Sequence, residues 1–172
     1  MQANPGNAIG VFDSGVRGLT VVRALMERLP FENINMLRRL NGLPGHPDIN
    51  TPGMTANTGS LGMGISKAKG MAFAGRRAGR DARFYVVTGD GELQEGQIWE
   101  AAMFGGFHKV DNVVAVVDYN KIQLDGFVKD IMDLEPLADK WRSFGWHVIV
   151  LDGHDIGALQ NAWPSICSSL TR

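Results

Sequence analysis

The sequence predicts an α/β fold, a parallel sheet with helices on both faces. Two apolar runs rich in β-branched residues, FYVVT at residues 84–88 and VVAVVD at residues 113–118, have the composition of strands that are covered on both faces. A helical pattern over residues 95–109 separates the two runs. A strand, a helix and a second strand in succession are typical of a parallel sheet with right-handed crossovers.

Further strands and helices repeat this alternation along the chain. Arg76 and Arg77 suit the negative C-terminal end of a helix, Gly79 is its expected stop, and Asp155 is the expected N-cap of the last helix. Residues 30–52 contain four prolines and are expected to form a linker or loop. The other predicted elements are strands at residues 8–12 and 146–151, and helices at residues 19–29, 60–77, 135–144 and 155–168.

The composition narrows the class of protein. Seventeen basic residues against eighteen acidic ones give a net charge of -1, which argues against a dedicated nucleic-acid binder. No apolar run approaches the roughly 18 residues of a membrane span, so we expect no membrane segment. Cys167 is the single cysteine of the sequence and cannot form an internal disulfide, which favours a reducing compartment and a cytoplasmic location.

Polar residues follow both central strands at the point where each strand ends. Gly89, Asp90 and Gly91 follow the first strand, and Asn120 follows the second, 120 − 90 = 30 residues after Asp90. Because parallel strands end at one sheet edge, the two side chains are expected to emerge side by side and to share an ion. Their oxygens suit Mg²⁺, while the glycines and the helix that begins near Glu95 suit a diphosphate. Taken alone, each motif is most often a simple turn.

Six sequence motifs together resemble one enzyme family. In chain order they are LPGHPD at residues 43–48, TGSLGMG at 58–64, GDGELQEG at 89–96, WEAAM at 99–103, DYNKIQLDG at 118–126 and EPLADKW at 135–141. Over residues 37–162 the chain resembles transketolase, particularly the split bacterial type whose N-terminal part is a separate chain. The resemblance implies a thiamine diphosphate-binding domain of the diphosphate type, incomplete at both ends.

The same resemblance implies the metal ligands. Asp90, the side chain of Asn120 and the backbone carbonyl of Ile122 match the ligands of the divalent metal, Mg²⁺ or Ca²⁺. All three therefore also count as cofactor-binding residues, with Gly89 and Gly91 beside the diphosphate.

Four further residues match family positions close to the cofactor. Gly59 and Leu61 match a loop that precedes a helix near the cofactor, and His46 matches a catalytic histidine on the cofactor and substrate side. Glu95 matches an acid at the subunit contact that links cofactor sites. The alternatives are a solvated loop position for His46 and a plain helix N-terminus for Glu95.

Other histidines and aromatic residues have structural interpretations. His154 is expected in a turn, His108 at a helix end and His147 in a strand. Aromatic and apolar residues four apart on the helix over residues 95–109 are expected in the core or at a subunit interface. They are Trp99, Met103 and Phe107.

The first part of the chain has a different resemblance. IGVFDSGVRGLTVVRAL at residues 9–25 resembles the opening strand, loop and helix of glutamate racemase, and Asp13 and Ser14 match its amino-acid contacts. Arg17 stands where that family has glycine, and one cysteine cannot supply the paired cysteines of a racemase. We therefore divide the chain into residues 1–36, a racemase-like segment and linker, and residues 37–172, the transketolase-like domain.

These features lead to one main functional hypothesis. The resemblance implies transfer of a two-carbon ketol unit between sugar phosphates, with activity only beside a C-terminal pyrimidine-domain subunit in a homo- or hetero-oligomer. An isolated chain would be inactive, because thiamine diphosphate chemistry needs the activating acid of that other domain. The alternative is a truncated or recombined α/β domain without catalytic activity, and a racemase is a distant third.

Overall fold

A computed structural model describes residues 45, 46, 48–51 and 54–168, with side chains described as far as residue 162. The strand predicted at residues 8–12, the helix at 19–29 and the racemase-like segment lie outside the described residues. Of the predicted loop over residues 30–52, the described part contains turns and bends. None of the described helices is both long enough and apolar enough to cross a lipid bilayer.

The centre of the described fold is a pair of parallel strands joined through a helix. Strand β1 (Phe84–Gly89) pairs with β2 (Val113–Asp118) in a register that runs from Phe84↔Val113 to Gly89↔Asp118. The predicted strands and their parallel pairing are confirmed. The helices are α1 (Met63–Arg77), α2 (Gly96–Phe107), α3 (Val128–Ile131), α4 (Leu137–Ser143) and α5 (Ile156–Ser168).

The core lies between β1 and the helices α1 and α2. Val86 and Val87 are both buried although they point to opposite faces of β1, as the continuous apolar pattern predicts. Small residues let the backbones approach closely, and burying a large side chain such as Ile98 contributes about 1.5–3 kcal/mol. The buried residues of the two helices are Ile65, Ala68, Ala72, Ile98, Ala101, Ala102 and Gly105.

The helix ends agree with the capping residues of the sequence. After α1, Gly79 has the left-handed φ of +67° that ends a helix, so the predicted stop is confirmed. Arg76 lies in the last turn of α1 and pairs with Asp111 at 2.6 Å. Before α5, the Asp155 carboxylate accepts the Ala158 N–H at 2.9 Å, which confirms the predicted N-cap.

The strand predicted at residues 146–151 is wrong. These residues have no regular secondary structure and pair with no strand in the described part of the chain, and Val150 is 73% exposed. The same run includes His147, which therefore lies outside a strand. An apolar run of β-branched residues indicates a preference for burial, but it does not indicate whether a neighbouring strand is available for pairing. Strand β2 is likewise only half-buried along most of its length, contrary to the expected cover on both faces.

Two short elements near the strand ends were not predicted. Residues Gly91–Gln94 form a 3-10 helix directly after β1. Strands β3 (Ile122–Gln123) and β4 (Gly126–Phe127) form a small antiparallel hairpin after β2. Leu124 and Asp125 form the two-residue turn of this hairpin, and Gly126, the first residue of β4, has a φ of +149°.

A cluster of tryptophans joins α4 to α2. The ring of Trp141 lies 5.5 Å from that of Trp99 and 5.0 Å from that of Trp146, measured between centroids. The Trp99 indole N–H donates to the Leu93 carbonyl at 2.8 Å, and that of Trp146 donates to Ala102 at 2.9 Å. The Trp146 bond holds the chain after α4 against α2, and the Trp99 bond joins α2 to the 3-10 helix that follows Asp90.

Candidate functional site

The loops after β1 and β2 are joined through the carboxylate of Asp90. Its Oδ1 accepts the Gly91 N–H at 2.9 Å, and its Oδ2 accepts the Lys121 N–H at 2.7 Å. The Asp90 N–H in turn donates to the Asp118 carbonyl at 3.2 Å. Asp90 is completely buried, so its position is set by the two strand ends and not by solvent. The predicted meeting of the two loops at one sheet edge is therefore observed.

The electrostatic surroundings of Asp90 favour a cation. Burial raises the pKa of the Asp90 carboxyl above its usual 3.8, and the nearby Asp118 carboxylate raises it further. The N–H groups of Lys121 and Gly91 act in the opposite direction, but their effect is smaller. A positive ion at this position would compensate the buried charge.

Asn120 is held in one orientation by its neighbours. Its Oδ1 accepts the Ile122 N–H at 2.9 Å, and its Nδ2 donates to Asp118 Oδ2 at 3.2 Å. An amide oxygen has two lone pairs, so Oδ1 keeps one for another partner. Sequence reasoning missed this orienting role of Asp118, which the sequence shows only as the last residue of a strand.

Lys121 adopts an uncommon backbone conformation. Its φ is +65°, a left-handed value that is unusual for a side chain other than glycine. The same residue donates its N–H to Asp90. Such conformations concentrate at functional sites, where the surrounding contacts hold them.

Steric fit explains the glycine after Asp90. A Cβ atom on Gly91 would lie 2.7 Å from the Cβ of Gln123, because the β3–β4 hairpin packs directly on this turn. A Cβ on Gly89 would meet no atom of the described residues within 4 Å. Among these residues the turn is therefore tightly packed at Gly91 and unobstructed at Gly89.

A second loop brings together His46 and Gly59. A Cβ on Gly59 would lie 3.3 Å from the His46 ring, and Gly59 has a φ of +95°. Two bonds attach this loop to the segment after Asp90. The Gly62 N–H donates to Glu92 Oε1 at 2.8 Å, and Gln97 Nε2 donates to the Leu61 carbonyl at 2.7 Å. Sequence reasoning missed Glu92 and Gln97, since their contacts join segments that are far apart in the chain.

Glu95 lies at the join between the 3-10 helix and α2. It is the N-cap residue of α2, yet its side chain makes no capping hydrogen bond. A Cβ on Gly62 would lie 2.8 Å from the Cβ of Glu95, so the Glu95 side chain packs against the loop of Leu61. Glu95 therefore contacts the loop of Leu61 and does not cap α2 with its side chain, unlike the plain helix N-terminus considered above.

The oxygens at the ends of β1 and β2 are of the kind that hard divalent cations prefer. Among the described residues no group of three or more His, Cys, Asp or Glu could hold a metal. Asp90, the Asn120 amide oxygen and a backbone carbonyl provide one charge and neutral oxygens, the kind of partial set that Mg²⁺ takes from a protein when phosphate and water supply the rest.

The fold and the site together define a class of protein. It is an open parallel α/β domain with a buried carboxylate and an amide at the carboxyl ends of adjacent strands, where such sheets bind phosphorylated ligands. A family model described as "Transketolase, thiamine diphosphate binding domain" matches residues 24–168. The chain belongs to this family and comprises a transketolase N-terminal, thiamine diphosphate-binding section.

Curated relatives include proteins named as one subunit of a transketolase and proteins named simply transketolase. The 6-deoxy-6-sulfo-D-fructose transketolase subunit SqwG of Clostridium sp. (strain MSTE9) is 46% identical over 86% of this chain and 54% of its own length. An apulose-4-phosphate transketolase subunit from Phocaeicola vulgatus is 44% identical over 72% of this chain and 44% of its own. Human transketolase is 35% identical over 77% of this chain and 21% of its own. The chain thus spans about half the length, or less, of these relatives.

Solved structures agree with the family. Transketolase from Campylobacter jejuni aligns with a TM-score of 0.77 at 31% identity, over 98% of this chain and 29% of that one. Transketolase from Leishmania mexicana aligns with a TM-score of 0.75 at 29% identity, over 92% of this chain and 26% of that one. The predicted α/β fold and the resemblance to transketolase are confirmed. None of the relatives and structures named above is a glutamate racemase, so the second resemblance is not supported by them.

The family match begins ahead of the predicted domain boundary. It starts at residue 24, inside the segment 1–36 that we assign to a racemase-like piece and linker. The division between residues 36 and 37 remains a prediction.

Proposed function

We propose that the chain binds thiamine diphosphate together with Mg²⁺ or Ca²⁺ at the carboxyl ends of β1 and β2. The observation that carries the proposal is the bond from the Lys121 N–H to the buried Asp90 carboxylate, which puts Asp90 beside Asn120. The raised pKa of Asp90 supports the proposal, because a cation would favour the charged carboxylate.

Three oxygens of the chain would hold the metal. Asp90 supplies charge, Asn120 Oδ1 is already oriented by its bond to Ile122 N–H, and the Ile122 carbonyl is the third ligand. A metal of about six ligands would take the others from the diphosphate and from water. Gly89 would let the backbone approach the diphosphate, with Gly91 beside it in the same turn, and the N-terminus of α2 would favour the negative charge of the diphosphate.

The second loop would contact the rest of the cofactor. Thiamine diphosphate supplies the stabilisation of a carbanion when it is bound. Gly59 and Leu61 would limit where the cofactor lies, and His46, packed on Gly59, would face cofactor and substrate as the catalytic histidine. Glu95, beside Gly62, would meet a neighbouring subunit near the cofactor.

For the whole protein we propose transfer of a two-carbon ketol unit between sugar phosphates in the cytoplasm, within carbohydrate metabolism such as the pentose phosphate pathway. A C-terminal, pyrimidine-domain subunit would complete the site, since two of the relatives are themselves named as subunits of a transketolase. An apolar surface on α2 supports contact with another chain, since Met103 is 54% exposed and Phe107 is 79% exposed. Trp99, by contrast, packs into the core.

Calorimetric titration with thiamine diphosphate and Mg²⁺ tests the cofactor site. We expect Asp90→Ala and Asn120→Ala to weaken binding at least about 100-fold, since removing even an indirect partner of a metal ligand costs about 10–100-fold. Asp130→Ala, which removes an exposed acid outside the site, should bind like wild type. The Asn120 variant guards against misfolding, because Asn120 is exposed whereas Asp90 is buried. Absence of heat for wild type, or equal heat for the two site variants and wild type, contradicts the proposal.

Mixing with a transketolase C-terminal subunit tests the proposed activity. We expect ketol transfer from the mixture and none from the chain alone. A chain that binds the cofactor but gives no activity with any such subunit would support the alternative of a domain without catalytic activity.

A further inference from the structure

We propose that Glu92 and Gln97 are positioning residues that clamp the loop of Leu61 and Gly62 onto the segment that follows Asp90. The Glu92 carboxylate accepts the Gly62 N–H at 2.8 Å, in a buried bond between residues 30 apart in sequence. The Gln97 amide donates to the Leu61 carbonyl at 2.7 Å, across 36 residues. One peptide unit, the Leu61–Gly62 amide, is thus held at both its oxygen and its nitrogen.

The chemistry of the two side chains matches the two groups that they hold. A carboxylate accepts hydrogen bonds and suits an N–H, whereas the Gln97 NH₂ group donates and suits a carbonyl. Gly62 has a φ of +79° and is the N-cap of α1, so no helical bond satisfies its N–H. A Cβ on Gly62 would lie 2.8 Å from the Cβ of Glu95, so the loop also rests directly on this segment.

The clamp couples two sides of one site, an inference that rests on the proposed function. Glu92 is buried in the 3-10 helix that Asp90 caps, and Gln97 lies in the first turn of α2. Asp90 and Gly91, from the proposed metal and diphosphate site, therefore share a short segment of the chain with the residues that hold Leu61. Loosening the clamp should let the loop of Leu61 drift from the cofactor while Asp90 and Asn120 stay in place.

Gln97→Glu is the sharpest substitution because it keeps the shape and removes the donor. Gln94→Glu is the matched control, since Gln94 Nε2 donates to a backbone carbonyl as well, that of Met132 at 2.9 Å, but holds a different segment. Both substitutions add one negative charge near the start of α2, so charge alone affects them similarly.

Two measurements distinguish the positioning of the Leu61–Gly62 loop from the binding of diphosphate and metal at Asp90 and Asn120. The first is hydrogen exchange of the Gly62 amide in the free protein, which should accelerate in Gln97→Glu and more in Glu92→Ala, with Glu92→Gln in between because its amide oxygen still accepts. The second is titration with Mg²⁺ and either thiamine diphosphate or inorganic pyrophosphate. Relative to Gln94→Glu, which carries the same added charge, we expect Gln97→Glu to weaken thiamine diphosphate about two- to tenfold, as the loss of one hydrogen bond implies, with equal pyrophosphate affinity in the two variants.

The outcomes distinguish the clamp from the proposed function. Unchanged exchange of the Gly62 amide in both Gln97→Glu and Glu92→Ala would overturn the clamp. Equal losses for pyrophosphate and thiamine diphosphate, or equal losses in Gln94→Glu, would overturn its positioning role. Wild type that binds neither ligand would overturn the proposed function and with it the cofactor role of the clamp, while the exchange data still decide whether the two bonds hold the loop.

Discussion

Replacing Gly91 by alanine gives a direct test of how tightly the hairpin packs on the turn after β1. The new Cβ would lie 2.7 Å from the Cβ of Gln123, whereas ordinary contacts begin near 3.4 Å, so the two backbones must separate by 3.4 − 2.7 = 0.7 Å. Neither atom can rotate away, because each Cβ is fixed by its own backbone. The strain must therefore move β3 or the turn itself.

The cost follows from the usual effect of overpacking. Such an insertion destabilises by about 1–3 kcal/mol, and the lower entropy of the unfolded alanine chain offsets about 0.4–1 kcal/mol. We therefore expect Gly91→Ala to lower the free energy of unfolding by about 1.3 kcal/mol, the middle of these two ranges, and by no more than about 2.6 kcal/mol, measured by urea denaturation of the metal-free protein with an unchanged slope.

Gly89→Ala is the matched control on the other side of Asp90. Its Cβ would meet no atom within 4 Å in the described part of the chain, and its φ is not in the left-handed region, so we expect no loss and a gain of up to about 1 kcal/mol. Gln123→Gly removes the opposing Cβ, so a double-mutant cycle can isolate the clash. We expect Gly91→Ala to lower the free energy of unfolding by about 1 kcal/mol less when Gln123 is already glycine. Equal midpoints for Gly89→Ala and Gly91→Ala would refute the steric explanation.

Two further predictions concern the loops beside the site. Lys109 and Lys121 have φ values of +50° and +65°, so glycine at either should relieve strain of about 1 kcal/mol. The gain in stability should be smaller for Lys121→Gly, since the Lys121 ammonium lies 5.5 Å from the centre of the Tyr119 ring, a contact worth about 0.5 kcal/mol. A larger rise in melting temperature for Lys121→Gly than for Lys109→Gly would contradict this. The hydrogen bond to Glu135 raises the pKa of Tyr119 from 10.0 to about 12, so its stabilisation is complete below pH 10.0 and is lost as pH rises towards about 12. Tyr85 and Tyr119 are the two tyrosines of the sequence. Alkaline absorbance titration of Glu135→Ala, which removes the acceptor, should show the high pKa of Tyr119 moving down towards 10.0, and an unmoved titration would exclude the bond.

The central part of the fold was predictable because its signals are local. Strand β2 begins and ends where the apolar run does, and Asp155 and Gly79 bound their helices as their side chains require. The nearness of Asp90 and Asn120 followed from parallel pairing alone, since strands in register end at one edge.

The rest depended on contacts that the sequence does not carry. Residues 146–151 have the composition of a strand, but pairing requires a neighbour, and none is present in the described part of the chain. Glu92, Gln97 and Asp118 look like ordinary polar residues until the fold brings their partners to them. The 3-10 helix at Gly91–Gln94 is too short for any periodic pattern to reveal.

The tryptophan cluster has a consequence for how this chain can be observed. Indole emission depends on hydrogen bonding and on nearby rings, and the Trp99 indole N–H is bonded to the carbonyl of Leu93, three residues after Asp90. Trp99 also lies 5.5 Å from Trp141, close enough for the two rings to exchange excitation. Trp99 is therefore an intrinsic fluorescent reporter on the packing of the segment that follows Asp90, and Trp99→Phe identifies which part of the emission arises there.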